Sequence, residues 1–302
     1  MSAPPLITIG LPVYNSERFL RQSLDSLLAQ TCADFVLNIS DNASTDGTAG
    51  ICQEYAAADA RIRYSRNETN IGNPRNFNRV AELTTTRYLK WSTADDFWAP
   101  TFLELALEVM ERDATIALCY PQAVIVDADG GNPVDYDDVL HLIQDDPATR
   151  FLALIDNIRL AHQHLGLIRT SSLRQTRMLG DHVGSDINLL AELTLYGKFH
   201  ELPHRLFFRR MHKDSGSWKR DDPAHHARYY LPAGRKRPGM TLWSTYLSHF
   251  AAVRHSPLGF GVRARLYRQL ARRMVWNRRH LLREMVGYGG SLLRDRAGRA
   301  SG

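Results

Sequence analysis

The tetrapeptide Thr93-Ala94-Asp95-Asp96 places two neighbouring carboxylates between the apolar run Tyr88–Trp91 and a helix-like stretch that begins after Pro100. Hard divalent cations such as Mg²⁺ and Mn²⁺ take oxygen ligands and commonly share them with substrate phosphates. Two aspartates at the tip of a strand therefore indicate a metal–diphosphate site and chemistry on a nucleotide-linked substrate. The alternative is a pair of solvated acids that cap the following helix.

The elements that position these acids alternate between strand-like and helix-like runs over the first 120 residues, as is typical of parallel βαβ units. Strands are predicted at 6–13, 35–39, 62–64 and 88–92, and the helices that follow them begin near Ser16, Asp46, Pro74 and Thr101. We therefore predict an α/β fold with a doubly wound, mostly parallel sheet that is flanked by helices.

Polar clusters follow three of these predicted strands. They are Tyr14-Asn15, Asp41-Asn42 and Asp95-Asp96. In doubly wound sheets the ligand binds in the crevice at the carboxyl ends of the strands, so the three clusters should converge on one nucleotide site. Neither GxGxxG nor GxxxxGK[ST] occurs in the sequence, which argues against a dehydrogenase-type dinucleotide site and against a P-loop.

The chain after residue 120 is less regular. It predicts a strand and turn at 123–131, an acidic loop at 135–146, helices at 151–160 and 187–196, strands at 199–202 and 205–209, and closing helices at 241–253 and 262–285. His162 and His164 alternate around Gln163, so we expect both on one face of a strand, where they line an acceptor cleft.

Composition excludes several classes of protein. The chain has 302 residues, 44% of them hydrophobic and 23% charged, which suffices for a substantial core. Its three cysteines are too few and too unpatterned for a disulfide framework or a zinc site. The sequence shows no signal peptide and no run of spanning length, so we expect a cytoplasmic protein.

Positive charge is concentrated at the C-terminal end. From Arg254 onward there are twelve arginines against Glu284 and Asp295, which is more than the whole net charge of +6. This placement argues against nucleic acid and for a local anionic partner. Leu266 and Leu270 lie among the arginines, so the helix either lies on an anionic membrane or packs its apolar stripe on the rest of the protein.

Four sequence blocks stand out in the N-terminal half: LPVYNSERFLRQSLDSLLAQT, ISDNASTDGT, NIGNPRNFNRV and WSTADD. Together they resemble the successive blocks of the family 2 glycosyltransferases, an inverting family with the GT-A fold, and the resemblance covers residues 6 to about 130. Gly184-Ser185-Asp186 and the run Phe208–His212 resemble later blocks of the family.

The resemblance implies a nucleotide-binding half at residues 1–120. There Pro12, Tyr14 and Asn15 would lie against the nucleotide, and Asp41 would accept a hydrogen bond from the N–H of a uracil or thymine base. Arg75 would pair with the diphosphate. The alternatives are a turn at Asp41-Asn42 and a solvated arginine on a helix face.

The resemblance also assigns the metal and the chemistry. Asp96 would hold Mg²⁺ or Mn²⁺, with His212 completing the metal or diphosphate shell, and Asp95 would contact the ribose or the sugar. Thr93 stands where relatives have the first acid of their Asp-x-Asp signature. Asp186 would be the base for the acceptor hydroxyl, the alternative being a helix N-cap. Further substrate contacts are predicted from two residues of the acceptor half, Arg210 and Ser217.

The domain implied is a GT-A-like unit over residues 1–222, with its acceptor half at 121–222 and a helical, arginine-rich extension at 223–302. Such a protein would transfer a hexosyl group from a UDP or dTDP donor to a carbohydrate or lipid-linked acceptor, in the synthesis of a cell-surface polysaccharide, glycolipid or natural-product glycan. The extension would support peripheral membrane binding or a homodimer. The alternative functions are a sugar-phosphate nucleotidyltransferase and a non-catalytic binding module for nucleotide sugars or a membrane surface.

Overall fold

Four parallel strands form one half of the sheet in the computed structural model, which describes residues 4–138, 140–213, 215 and 240–288. Their spatial order is β3-β2-β1-β4, and β1 and β2 are buried along their whole length. Continuous apolar runs of this kind suit strands that are covered on both faces. The four strands confirm the predicted βα units: β1 (Ile7–Val13), β2 (Phe35–Asp41), β3 (Ile62–Arg66) and β4 (Tyr88–Trp91).

Four helices follow these strands: α1 (Glu17–Leu28), α2 (Thr48–Ala58), α3 (Asn73–Glu82) and α4 (Phe102–Arg112). On α1 the buried leucines recur at helical spacing, which turns that face of the helix towards the core. Ser16 occupies the N-cap position as predicted, but its hydroxyl donates to the carbonyl of Tyr14 and makes no capping bond.

The second half of the sheet is built around β6 (Ile116–Val126), which pairs in parallel with β9 (Lys198–Arg210). The two strands predicted at 199–202 and 205–209 are one continuous strand, whose pairing with β6 shifts register near Pro121 and Gln122. The segment predicted as an acidic loop contains a short strand that pairs with β6. The remaining strands of this half are β5 (Phe97–Trp98), β7 (Val134–Tyr136) and β8 (Leu167–Arg169).

The other helices are α5 (Pro147–Asn157), α6 (Thr170–Leu173), α7 (Ser185–Leu193), α8 (Thr241–His255) and α9 (Phe260–Trp276). The helix predicted at 262–285 is interrupted at Asn277, after which residues 278–288 are helical again. Among the described helices none has both the length and the apolarity that a membrane span requires. Ser217 and the predicted boundary at residue 222 lie outside the described residues.

The prediction that His162 and His164 lie on a strand is wrong. Residues His162–Leu165 form a turn of 3₁₀ helix, and the strand begins only at Leu167. The cause lies one residue upstream, because Ala161 adopts a left-handed backbone conformation, with φ 53°, that takes the chain out of an extended path.

Candidate active site

A cleft opens where the polar end of β4 faces the starts of α3 and α7 and the end of β9. Four of the residues predicted from the sequence line it together, namely Asp95, Asp96, Asp186 and Arg210. Other lining side chains are Asn73, Pro74, Phe77, Thr93, Leu160, His162, His164, Leu165, Leu179, Ser185, Arg209 and Ser215. Segments more than 100 residues apart in sequence therefore form one site.

Two hydrogen bonds within the protein hold the side chain of Asp96, which lines this cleft. Its Oδ1 accepts from the backbone N–H of Arg210 at 2.8 Å, and its Oδ2 accepts from the hydroxyl of Thr93 at 2.5 Å. Thr93, which stands at the position of the first acid of the Asp-x-Asp signature, thus holds Asp96 through its hydroxyl. Burial, followed by the charge of Asp95, raises the pKa of Asp96 to about 7.

Asp95 contacts the predicted metal ligand His212, whose Nε2 lies 3.1 Å from Asp95 Oδ2. Among the residues that the structure describes, no three His, Cys, Asp or Glu side chains converge to hold a metal by themselves. Two adjacent carboxylates, of which Asp95 raises the pKa of Asp96, with an imidazole beside them, nevertheless fit a divalent cation that takes its other ligands from a diphosphate.

Arg210 braces the turn that carries the two acids. Its Nε donates to the carbonyl of Asp95 at 2.9 Å, its Nη1 donates to the carbonyl of Ala128 at 2.8 Å, and its Nη2 donates to Gln22 at 2.5 Å. All three guanidinium nitrogens thus donate within the protein, and a substrate contact by Arg210 would have to use an N–H that these bonds leave over. Its neighbour Arg209 donates to the carbonyl of Leu160 and also lines the cleft.

A buried lysine on β4 was not predicted from the sequence. Lys90 lies on β4 and is fully buried; its Nζ donates to the carbonyl of Trp91 at 3.1 Å and lies 3.6 Å from the ring centroid of Trp98. Burial lowers the pKa of Lys90 well below its usual range, and the charge of Asp96 opposes that shift. A lysine inside an otherwise apolar strand was the available signal.

The end of β2 is organised differently. Asp41 is fully buried; one oxygen accepts from the N–H of Ser44, and the other accepts from Tyr64 and from Arg66, each at 2.8 Å. Arg66 lies opposite Asp41 in the β2–β3 register, a pairing that single-strand patterns do not reveal. The carboxylate therefore already has three protein donors, and its predicted contact with a base stays a prediction.

The loop after β1 is fastened to the loop after β2. Asn15 has φ 48°, its N–H donates to the hydroxyl of Ser44, and its Oδ1 accepts from the N–H of Thr45 at 2.8 Å. Tyr14 is exposed at this edge, whereas Pro12 is buried within β1. The first two polar strand ends therefore meet as predicted.

Asp186 lies in the first turn of α7, on the wall of the cleft. The N-cap is Gly184, whose φ of 79° favours glycine, so Asp186 is one residue inside the helix and is not its cap. Its Oδ1 accepts from the N–H of Ile187 at 2.9 Å. The positive end of the helix dipole stabilises a carboxylate at this position.

Arg75, the predicted diphosphate ligand, is half-exposed at the start of α3 and forms a two-point ion pair with Asp181, with distances of 2.9 Å from Nε and 2.5 Å from Nη2 to the same carboxylate oxygen. The pair joins α3 to the segment before α7 across 106 residues. Asp181 was not among the predicted site residues.

His162 and His164 do line the cleft, although through the 3₁₀ turn. His164 Nδ1 lies 2.5 Å from the carbonyl of Ala161, so Nδ1 carries the proton and Nε2 is left as the acceptor. Burial lowers the pKa of both imidazoles, which keeps them neutral. Together with Phe77 they give this part of the cleft a mixed apolar and hydrogen-bonding wall.

A family model described as glycosyl transferase family 2 matches residues 8–177, more than half of the chain. Chondroitin synthase of Escherichia coli is 32% identical over 127 residues, which are 42% of this chain and 18% of that protein. A putative teichuronic acid biosynthesis glycosyltransferase of Bacillus subtilis, TuaG, is 32% identical over 132 residues, 43% of this chain and 51% of that one. The chain thus spans about half or less of the length of these relatives.

Solved structures show the same fold at low identity. The TarS protein of S. aureus in complex with UDP aligns with a TM-score of 0.64 and 15% identity, over 89% of this chain and 71% of that one. A mannosyltransferase from Pyrobaculum calidifontis in complex with GDP-Man and Mn²⁺ aligns with a TM-score of 0.58 and 15% identity, over 100% of this chain and 82% of that one. The mostly parallel sheet with flanking and C-terminal helices is therefore of the GT-A type.

Proposed function

The chain belongs to glycosyl transferase family 2, and we propose that it transfers a sugar from a UDP or dTDP donor to an acceptor hydroxyl with inversion at the anomeric carbon. The observation that carries this proposal is that Asp186 and the Asp95–Asp96 pair line one cleft. A general base and a site for a metal–diphosphate are the two groups that direct displacement at a nucleotide sugar needs.

The donor would enter from the edge where the first two strands end. Tyr14 and Asn15 would lie against the nucleoside, and Asp41 would receive the base through a hydrogen bond, with Arg66 and Tyr64 holding that carboxylate in position. Arg75 would pair with the diphosphate by exchanging its contact with Asp181. The structure of TarS in complex with UDP, which has the same fold, supports this arrangement by analogy.

The acids of the β4 tip would hold a divalent cation together with His212, and the cation would supply positive charge that stabilises the departing diphosphate. Each oxygen of Asp96 accepts one protein hydrogen bond and keeps a lone pair, so Asp96 would be the principal ligand, while His212 lies against Asp95. Arg210 and Thr93 keep the turn in place without contacting the reacting atoms.

Asp186 would accept the proton of the acceptor hydroxyl as the acceptor oxygen forms its bond to the anomeric carbon. The bond between that carbon and the diphosphate oxygen breaks on the opposite face, and the electron pair leaves with the nucleoside diphosphate. His164, a neutral imidazole with Nε2 as acceptor, would receive a sugar hydroxyl beside Asp186. The names of the relatives, a chondroitin synthase and a putative teichuronic acid biosynthesis glycosyltransferase, favour a polysaccharide as the product, and we propose a cell-surface one.

Calorimetric titration with UDP, dTDP and GDP, with and without Mn²⁺, tests the donor site, and Asp186→Asn tests the chemistry. We expect metal-dependent binding of one nucleotide that Asp96→Ala abolishes. With the corresponding nucleotide sugar, Asp186→Asn should bind the donor normally but transfer about 10²–10⁴-fold more slowly. Absence of nucleotide binding would contradict the proposal, and binding without any transfer or donor hydrolysis would favour a non-catalytic module.

A further inference from the structure

The C-terminal helices carry apolar side chains on two opposite sides. Leu266, Leu270 and Leu281 are buried against the rest of the protein. On the other side Val275, Trp276 and Leu282 are 59%, 65% and 59% exposed. A helix that only covers a core keeps its second face polar, so this outer apolar set is not explained by packing within the chain.

Three arginines lie on the same outer side. Arg272, Arg279 and Arg283 follow the spacing of Val275, Trp276 and Leu282, and we define these six residues as the outer face. Hydrogen bonding passes through the interruption at Asn277, whose N–H donates to Arg273 and whose carbonyl accepts from Leu281, so the two helical pieces present one continuous face. The guanidinium of Arg272 lies 4.6 Å from the ring of Trp276.

The arginines of this helix differ in whether a carboxylate of the described residues lies beside them. Two other arginines of the same helix, Arg265 and Arg273, form ion pairs with Asp146 and Asp156. Within the described ranges none of the outer-face arginines is paired with a carboxylate. Arg265 and Arg273 therefore connect this helix to the start and end of α5, whereas the charges of the outer-face arginines are available to another partner.

We propose that the outer face lies on the surface of an anionic lipid bilayer. Tryptophan and aliphatic side chains insert at the level of the lipid headgroups, while neighbouring arginines bind lipid phosphates, and the interleaving of both types along one helix matches that partner. A second copy of the chain is disfavoured, because a two-fold contact would bring like-charged arginines together. The inference goes beyond the transfer reaction, which requires no membrane.

Co-sedimentation of the full chain with vesicles tests the proposal. We expect binding to equimolar phosphatidylcholine–phosphatidylglycerol vesicles and little binding to phosphatidylcholine alone. The double variant Arg272→Gln/Arg279→Gln should lower the partition coefficient about thirtyfold, since each basic residue near such a surface contributes about 1 kcal/mol. The control Arg63→Gln/Arg79→Gln, which removes two exposed arginines elsewhere, should bind like the unmodified protein.

Insertion is measured separately from charge. Brominated lipids should quench part of the tryptophan fluorescence, and Trp276→Phe should abolish that quenching while circular dichroism stays unchanged. Equal partitioning of both double variants would overturn the proposal, because binding would then follow net charge alone. A lipid-free dimer that the Arg272→Gln/Arg279→Gln variant dissociates would also overturn it, and would assign the face to a second copy. Transfer to a soluble acceptor reports on the proposed function independently.

Discussion

Two acidic strand ends of one sheet, Asp41 after β2 and Asp95–Asp96 after β4, differ in how their charge is compensated. Asp41 has an arginine, a tyrosine hydroxyl and a backbone N–H as donors. Asp96 has a hydroxyl and one backbone N–H as donors, and the charge of Asp95 raises its pKa more than the charge of Arg209 lowers it. The protein itself compensates the charge at the end of β2. At the end of β4 it compensates the negative charge only in part.

The difference separates a structural acid, whose charge the protein itself compensates whether or not it also contacts the base, from a binding acid, whose charge a cation would compensate. A buried carboxylate with charged and neutral donors stabilises the fold, and removing it leaves those donors without a partner. A pair of close carboxylates in a cleft destabilises the metal-free fold and gains most when a cation arrives. Residue type alone does not distinguish the two, since both are aspartates at the carboxyl ends of parallel strands.

The largest expected effect is on turnover at the β4 tip. Asp96→Asn should lower kcat/KM about 10²–10³-fold, because the cation that would stabilise the leaving diphosphate loses a charged ligand. Its thermal midpoint should be unchanged or higher, because the neutral amide relieves the repulsion from Asp95 and Thr93 can accept a hydrogen bond from it. Steady-state kinetics and calorimetry check this, and a lowered midpoint would place Asp96 in the structural class.

The second prediction concerns pH in metal-free protein. Because the pKa of Asp96 is raised from 3.8 to about 7, the folded state binds more protons than the unfolded state between these values. Stability should therefore fall as the pH rises from about 4 to about 7, by up to about 4 kcal/mol for this group. Urea unfolding of the chain minus that of Asp96→Asn, across this pH range in chelator, isolates the contribution; a flat difference would refute it.

At the β2 tip the expected loss is one of stability. Asp41→Asn should lower the free energy of unfolding by about 3 kcal/mol, because Arg66 loses its ionic partner and the amide cannot accept from all three donors. Urea unfolding measures this, with Asp34→Asn, at an exposed loop acid before β2, as the matched control. An Asp41→Asn chain as stable as the unmodified one, with nucleotide binding lost, would move Asp41 into the binding class.

Much of this arrangement was accessible from the sequence. Hydrophobic periodicity located the four βα units and the polar strand ends, and the resemblance placed Asp186 near Asp95 and Asp96, which the cleft brings together. These features rest on local pattern and on topology, which constrain the chain strongly.

The features that the sequence did not predict depend on partners distant along the chain. Arg66 reaches Asp41 through strand register, and Asp181 reaches Arg75 over 106 residues. The 3₁₀ turn at His162–Leu165 was not predicted because a single left-handed residue, Ala161, interrupts an alternating pattern that is otherwise typical of a strand. Which arginine of the Arg209–Arg210 pair braces the acid turn likewise depends on the register of β9.

The smallest expected effect concerns Arg75, which forms an ion pair within the protein and is also proposed to bind the diphosphate. Arg75 is bound to Asp181 in the structure, yet the pair is half-exposed, so the bond itself should contribute under about 1 kcal/mol. Asp181→Asn should therefore leave the unfolding midpoint nearly unchanged and should tighten nucleoside diphosphate binding a few-fold, because Arg75 becomes available to the diphosphate. Arg75→Gln should weaken the same binding by a similar factor.

Isothermal titration measures both effects. The control is Arg87→Gln, which removes an arginine that is paired with Glu111 away from the cleft. If Asp181→Asn instead destabilises the fold and leaves nucleotide affinity unaltered, the Arg75–Asp181 pair is a structural clasp like the one at Asp41, and the diphosphate must be neutralised by the β4 tip alone.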